Sequence, residues 1–315
     1  MNDTKTFLEK YNPNSLNDMI GQENIVKILK GYVNNKNIPH LLFTGSPGIG
    51  KTTAATIIAK DLFGENWQNN IIMMNASDER GIDVVRNKIK QATKFAPMCA
   101  DFKIIFLDEA DEMTQSAMRA LRDVIVKHQN VTRFILAVND LSKVIDPIQD
   151  RCQVFRFKPL KQIDIYNHLN KIIKNEDINI LNDDIKLIAE LSEGSMRKAV
   201  NTLQSVYTQP EINESIIREL MNNQLNNKDI NNLLDLVKTG NVEIYEKRLF
   251  ELIYNNGYEP NEIMDGIINH LIKLNNGNML PIIVGMAEFD YRMSQGSNQL
   301  LQLRCGLFKL GQSKW

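Results

Sequence analysis

The sequence predicts a doubly wound α/β domain built on a parallel five-stranded sheet, followed by helices alone. Three observations carry that expectation. Gly45 to Thr52 reads G-x-x-x-x-G-K-T between a short apolar run, residues 40–44, and an alanine-rich segment with apolar residues at helical spacing. A second apolar run, residues 103–107, ends in the adjacent carboxylates Asp108 and Glu109. Beyond Pro159 the strand signals stop and only helical periodicity remains. The expected division is 1–158 for the sheet domain, 159–222 for a small three-helix domain and 223–315 for a second all-helical domain.

Composition sets the bounds. At 315 residues the chain suits two or three domains, and 43% hydrophobic with 24% charged residues is ordinary for a globular protein. The net charge of −1 means that any nucleic-acid affinity must come from a local patch. No apolar run reaches the roughly 18 residues a membrane span needs, and the N-terminus carries no secretory signal. Three cysteines without metal spacing point to a reducing, intracellular compartment rather than a disulfide or zinc framework.

Residues 7–21 begin extended around Pro13 and lead into a helix from about Gln22 to Tyr32. Tyr11, Pro13, Ile20 and Gly21 form a candidate apolar wall for a nucleotide base, with ordinary N-terminal packing as the alternative. Next comes the strand at 40–44 and the glycine-rich loop. Gly45, Gly48 and Gly50 allow backbone torsions closed to larger residues, so that successive N–H groups can surround a phosphate. Ser46, Pro47 and Ile49 complete the loop, and the helix after it, starting with Thr53, points its positive end at the same anion. Lys51 is expected to reach the β- and γ-phosphates of a nucleoside triphosphate, and Thr52 to place a hydroxyl on Mg²⁺.

Residues 71–75 read as the second strand, 76–81 as a polar loop, and 82 to about 95 as a helix. Arg80 precedes that helix, and Arg86 and Lys90 lie four residues apart on it, a spacing that offers one basic face to a phosphate backbone. The third strand closes on Asp108, expected to hold Mg²⁺ through its water shell, and Glu109, expected to orient and polarise the attacking water. Residues 132–138 form the fourth strand, with Asn139 placed to meet the γ-phosphate or the water. Lys143 follows at the same end of the sheet, a further candidate for DNA contact. The fifth strand is expected at 153–158.

Three helices are expected at 161–174, 182–193 and 196–208, the last capped by Ser195 and carrying Arg197 in its first turn. A cation is unfavourable there unless an anion lies nearby, which makes Arg197 a candidate phosphate ligand. A polar stretch with a short helix leads to five more helices, at 228–238, 241–255, 260–274, 280–293 and 297–311. No chemical motif accompanies their apolar faces, so packing and assembly are the expected roles.

With these residues in view, the chain resembles the small subunits of the replication factor C clamp loader, within the AAA+ ATPases. The resemblance spans nearly the whole chain. It rests on Asn75-Ala-Ser-Asp-Glu-Arg-Gly-Ile-Asp-Val-Val-Arg86, Leu107-Asp-Glu-Ala-Asp-Glu-Met-Thr114, Pro147-Ile-Gln-Asp-Arg-Cys152 and Gly194-Ser-Met-Arg-Lys-Ala199. It implies an AAA+ P-loop domain, a lid and a C-terminal collar. It further implies ATP and Mg²⁺ as ligands, a hetero-pentamer with other clamp-loader subunits, and partners in a sliding clamp and primer–template DNA. A nuclear location would follow in a eukaryote, and otherwise a cytoplasmic or viral replication site. The competing expectation is another replication or recombination AAA+ ATPase, or a largely structural subunit.

By motif, Asn139 matches sensor 1, Arg197 matches sensor 2, and Arg151 matches the arginine finger that completes a neighbour's site in trans. The family's hydrophobic clamp contact falls on the loop after the basic helix, where Phe95 and Met98 flank Pro97. Three positions depart from the family pattern: Asn12 replaces an arginine, Asp150 replaces a serine beside the finger, and Ser195 replaces an aspartate.

Overall fold

The computed structural model describes residues 5–77, 81, 83–209, 211–221, 227–274 and 280–313, without the side chains of 84–86, 215, 219, 227 and 228. The chain divides into two compact units, Met1–Ile217 and Arg218–Trp315.

In the first unit α1 (Phe7–Lys10) and α2 (Glu23–Asn34) precede β1 (His40–Thr44) and α3 (Lys51–Phe63). Next come α4 (Trp67–Asn70), β2 (Ile71–Asn75), a π-helical stretch Val84–Ile89 that runs into α5 (Lys90–Lys94), and β3 (Lys103–Asp108). Helix α6 (Gln115–His128), β4 (Thr132–Val138), α7 (Asp146–Gln149) and β5 (Cys152–Arg156) complete the sheet domain. Helices α8 (Gln162–Glu176), α9 (Asn182–Leu191) and α10 (Met196–Tyr207) follow, and then α11 (Glu214–Met221), whose residues fall on both sides of the division after Ile217.

The five strands are parallel in the order β2-β3-β4-β1-β5. The continuous apolar runs of β1, β3 and β4 follow from burial on both faces, while the edge strands β2 and β5 are partly exposed. Leu41, Phe43, Ile104, Phe106, Ile135 and Ala137 pack on one side with Ala54, Ile57 and Ile58 of α3. The alternate residues Leu42, Ile105, Leu107, Phe134, Leu136 and Val138 pack on the other side with Met118, Leu121 and Ile125 of α6. Period-two alternation of side chains therefore splits one sheet between two cores. The loops that follow β1, β3 and β4 emerge at the strands' C-terminal ends, where open α/β sheets bind ligands, whereas Arg151 and the Phe95–Met98 loop precede β5 and β3.

Several elements differ from expectation, among them β5, which runs Cys152–Arg156 rather than 153–158, and α6, which the sequence reading does not include. The helix over 82–95 winds as π-helix before turning α, a wider turn that loosens the four-residue alignment between positions 86 and 90. Helix α3 begins at Lys51 rather than Thr53, so both motif residues belong to its first turn.

The second unit is helical throughout its described residues: α12 (Asn227–Lys238), α13 (Val242–Phe250) with a π turn over Glu251–Asn255, α14 (Pro260–Lys273), α15 (Leu280–Ser294) and α16 (Gln299–Gln312). Ile230, Leu233, Leu234 and Val237 show the spacing of one helix face. They share a core with Ile263, Met264 and Ile267 of α14 and with Leu303, Leu307 and Leu310 of α16. Among the described residues no helix is long and apolar enough to cross a membrane.

Candidate nucleotide site

A cavity of about 400 Å³ opens at the C-terminal end of β1. It is lined by Pro47, Gly48, Ile49, Gly50, Lys51, Thr52 and Thr53, by Asp108, Glu109 and Asn139, and by Arg197. The loop between β1 and α3 can turn this tightly because Gly48 and Gly50 both hold positive φ, +77° and +104°.

Two hydrogen bonds tie the motifs together. The Thr52 hydroxyl donates to Asp108 Oδ2 at 2.7 Å, joining the start of α3 to the end of β3. The Lys51 ammonium donates to Asn139 Oδ1 at 2.9 Å and to the carbonyls of Gly45 and Ser46. Lys51 is buried at 7% exposure, and that burial lowers its pKa, while Asp108, Asp111 and Glu109 act in the opposite direction. Its bonds inside the loop use the donors that a phosphate would otherwise engage.

Glu109 takes a left-handed backbone conformation, φ 51° and ψ 38°, at the turn into a short 3₁₀ segment. A non-glycine residue held there costs about 1–3 kcal/mol, and such positions cluster at functional sites. Just beyond it, Asp111 is buried, and its Oδ2 accepts from the backbone N–H groups of Asn139 and Asp140 at 3.2 and 3.0 Å. This carboxylate, which the motif reading passed over, joins the β3 turn to the end of β4.

From the lid side, Ser195 caps α10 by accepting from Lys198 N at 3.3 Å, as its spacing predicted. Arg197 N donates to Gly48 O at 3.4 Å. The lid helix therefore touches the glycine-rich loop directly.

The N-terminal segment closes another wall. Tyr11, Asn12, Pro13 and Ile20 line the cavity, joined by Phe7, Met19, Leu160, His168, Met196 and Val200, which the sequence did not single out. Of these, Met196 lies within the Gly194–Ala199 signature, while Phe7 and Met19 come from the N-terminal segment and Leu160, His168 and Val200 from the chain after β5. The Tyr11 hydroxyl donates to Glu176 Oε1 at 2.5 Å, and Lys10 pairs with the same carboxylate at 2.7 Å. Burial and the nearby Glu176 raise the Tyr11 pKa. Asn12 accepts from the Thr53 hydroxyl at 3.2 Å. Gly21 is not among the lining residues; it lies against Leu160 at the start of the lid.

Other candidates lie elsewhere. Arg151 precedes β5, at the opposite end of the sheet, and its guanidinium donates to the Pro147 carbonyl at 2.7 Å rather than to the neighbouring Asp150. Lys90 is exposed, and Lys143 pairs with Glu112 at 3.4 Å. Arg80 and the Arg86 side chain lie outside the described residues. Phe95 and Met98 are 68% and 52% exposed, so neither side chain is folded back into the core.

The donor set fits a nucleoside triphosphate with Mg²⁺. A buried lysine and an arginine face the loop at a helix N-terminus, and a hydroxyl and a carboxylate converge as the oxygen ligands that Mg²⁺ prefers.

Comparison with known proteins agrees with this geometry. Residues 41–160 match the model of the ATPase family associated with various cellular activities (AAA). Residues 167–208 match an AAA+ ATPase lid domain, RCF1/5-like, and residues 225–309 match the replication factor C C-terminal domain. The chain is 39% identical over 311 residues to the replication factor C small subunit of Methanococcus vannielii, covering 98% of both chains. It is 40% identical to that of Archaeoglobus fulgidus, covering 96% of both, and 42% identical to that of Methanosarcina barkeri, covering 94% of this chain and 93% of the relative. Among solved structures, the Thermotoga maritima RuvB Holliday junction branch migration motor shares the fold, with a TM-score of 0.56 at 19% identity over 86% of this chain and 88% of that one. With such identity over nearly its full length, the chain belongs to the replication factor C small-subunit family of AAA+ ATPases.

Proposed function

We propose that this chain is an ATPase subunit of a clamp loader that opens a sliding clamp and loads it onto primer–template DNA during replication. The observation that carries the reading is the convergence of Lys51, Thr52, Asp108, Glu109 and Asn139 on one cavity that Arg197 meets from the lid. The family supplies the context. The branch-migration alternative draws on a fold likeness alone, and the helical second unit with its replication factor C match supports the clamp-loader reading instead.

In this reading Gly45 to Thr53 hold the triphosphate, with Lys51 exchanging its bonds to loop carbonyls for phosphate oxygens. Thr52 and Asp108 hold Mg²⁺, which when bound neutralises charge on the β- and γ-phosphates. Tyr11, Pro13 and Ile20 wall the base. Glu109 accepts a hydrogen bond from the attacking water and orients it towards the γ-phosphorus. Asn139 fixes the same water or the γ-phosphate, and Arg197 brings the lid onto the phosphates.

Arg151 lies too far around the sheet to serve its own cavity, which supports its assignment as a finger for the adjacent subunit of a hetero-pentamer. A guanidinium stays charged and forks its donors, and such fingers contribute 10³–10⁵ in rate. Lys90 and Lys143, with Arg80 and Arg86, are assigned to the DNA backbone, and Phe95 and Met98 to the clamp. The second unit is assigned to assembly.

The test is co-expression with partner subunits and clamp, followed by ATPase measurements with and without primed DNA. Stimulation by DNA and clamp together is expected. Turnover indifferent to both would refute the reading.

A further inference from the structure

The loop after α5 carries two exposed apolar side chains yet is held from beneath by two of the most deeply buried polar residues in the sheet domain. Asn70, the last residue of α4, is 1% exposed. Its amide reads the Met98 backbone twice: Nδ2 donates to Met98 O at 2.8 Å, and Met98 N donates to Oδ1 at 2.7 Å. The pairing copies a β-bridge, with a side chain standing in for a strand. Lys103, the first residue of β3, is 2% exposed. Its ammonium donates to the carbonyls of Ala92 and Phe95 and lies 5.9 Å from the centre of the Phe95 ring.

Neither arrangement is the default. A lysine ammonium taken out of water normally demands a carboxylate, and burial lowers the Lys103 pKa with no acid to compensate. Its partners are instead carbonyls at the C-terminal end of α5, which a cation satisfies. An apolar residue of similar length would fill the same space with no desolvation penalty, but would leave those carbonyls without their donor. The loop itself has an obvious alternative in water, the collapse of Phe95 and Met98 onto nearby apolar surface. The two tethers oppose it by fixing the backbone on either side of Pro97, and Phe95 leaves the helix extended, at φ −71° and ψ 134°.

We propose that Asn70 and Lys103 are positioning residues that hold the Phe95–Met98 loop projected, so that both side chains reach the sliding clamp already in binding geometry. The inference rests on the clamp-docking assignment made above. Its physical content is pre-organisation: a loop ordered before contact loses less conformational freedom on binding.

A double-mutant cycle on the assembled complex tests it. Asn70→Ala and Lys103→Met are each made alone and combined with Phe95→Ser/Met98→Ser. Clamp affinity is measured alongside nucleotide affinity and backbone hydrogen exchange across residues 95–99. Loss of both anchors is expected to weaken clamp binding by on the order of tenfold or more. Each tether variant should weaken it several-fold, speed exchange at Met98, leave nucleotide affinity unchanged, and add nothing once the anchors are gone. If the anchor variant binds clamp normally, the docking assignment fails and the inference with it. If the anchor variant is weakened but the tether variants bind normally, or lose the same factor with or without the anchors, docking stands and the positioning role is overturned. Lys103→Met is the safeguard for folding, because it keeps the volume and apolar stem of the side chain.

Discussion

Ser195 of the lid occupies the space in which a side chain at Gly48 would begin: a Cβ there would lie 2.2 Å from Ser195 Oγ and 2.9 Å from Arg197 Cβ. Gly48 is therefore fixed twice, by its left-handed φ of +77° and by the lid above it. Gly48→Ala is expected to push the lid from the glycine-rich loop and weaken ATP binding at least tenfold. Adding Ser195→Gly should recover part of that loss, since glycine at an N-cap costs only a few tenths of a kcal/mol. Titration with a fluorescent nucleotide reads both, and normal affinity in Gly48→Ala would refute the contact's importance.

Asp111 gives a second prediction. Asp111→Ala removes the acceptor for two backbone N–H groups that hold the end of β4 against the β3 turn. Because one of them belongs to Asn139, turnover should fall further than nucleotide affinity does. Asp111→Asn keeps one acceptor oxygen and should retain more activity. Equal loss of kcat and affinity in both variants would mean a general structural role.

His40 predicts a pH effect on stability that is separate from catalysis. Its Nδ1 accepts from Phe134 N at 3.0 Å inside the sheet, and burial, with Arg133 nearby, lowers its pKa from 6.5 to about 4. The folded state therefore binds a proton less readily than the unfolded chain. Stability is fully present above pH 6.5 and falls as pH drops towards 4, by roughly 3 kcal/mol in all. His40→Asn offers Oδ1 to the same N–H without a titrating ring and should flatten the curve over that range. Denaturation at stepped pH measures it, and an unchanged slope would place the titration elsewhere.

DNA contact should be electrostatic and indifferent to base sequence. Lys90→Ala is expected to reduce the salt slope of DNA binding by about one. Lys143→Ala should do less, because Lys143 is already paired with Glu112. If replacing Arg86 and Lys90 together left the slope unaltered, the basic helix would be ordinary solvated surface.

The centre of the sheet was readable from sequence because β1, β3 and β4 are buried on both faces, so Leu41 to Phe43 and Ile104 to Leu107 appear as unbroken apolar runs. Lys51, Thr52, Asp108 and Asn139 were readable because phosphate chemistry fixes both residue type and spacing. Helix α6 went unassigned although Thr114 caps it and Ala117, Met118, Leu121, Val124 and Ile125 trace its buried face; the neighbouring carboxylate motif is the louder signal. His168 and Val200 could not be read at all, because they reach the cavity only through the packing of the lid. Gly21 lies against Leu160, a neighbour distant in sequence that no local pattern indicates.

Site-resolved ATP hydrolysis in the assembled complex tests the central claim most directly, using Glu109→Gln and Arg151→Ala in this subunit with clamp and primed DNA present. Glu109→Gln should retain ATP binding and stop turnover at this subunit's own site, because its carboxylate orients water rather than holding the nucleotide. Arg151→Ala should leave this site's nucleotide affinity nearly unchanged and slow the adjacent site by about 10³-fold or more. Loss confined to its own site on Arg151→Ala, or normal turnover there on Glu109→Gln, would contradict the account.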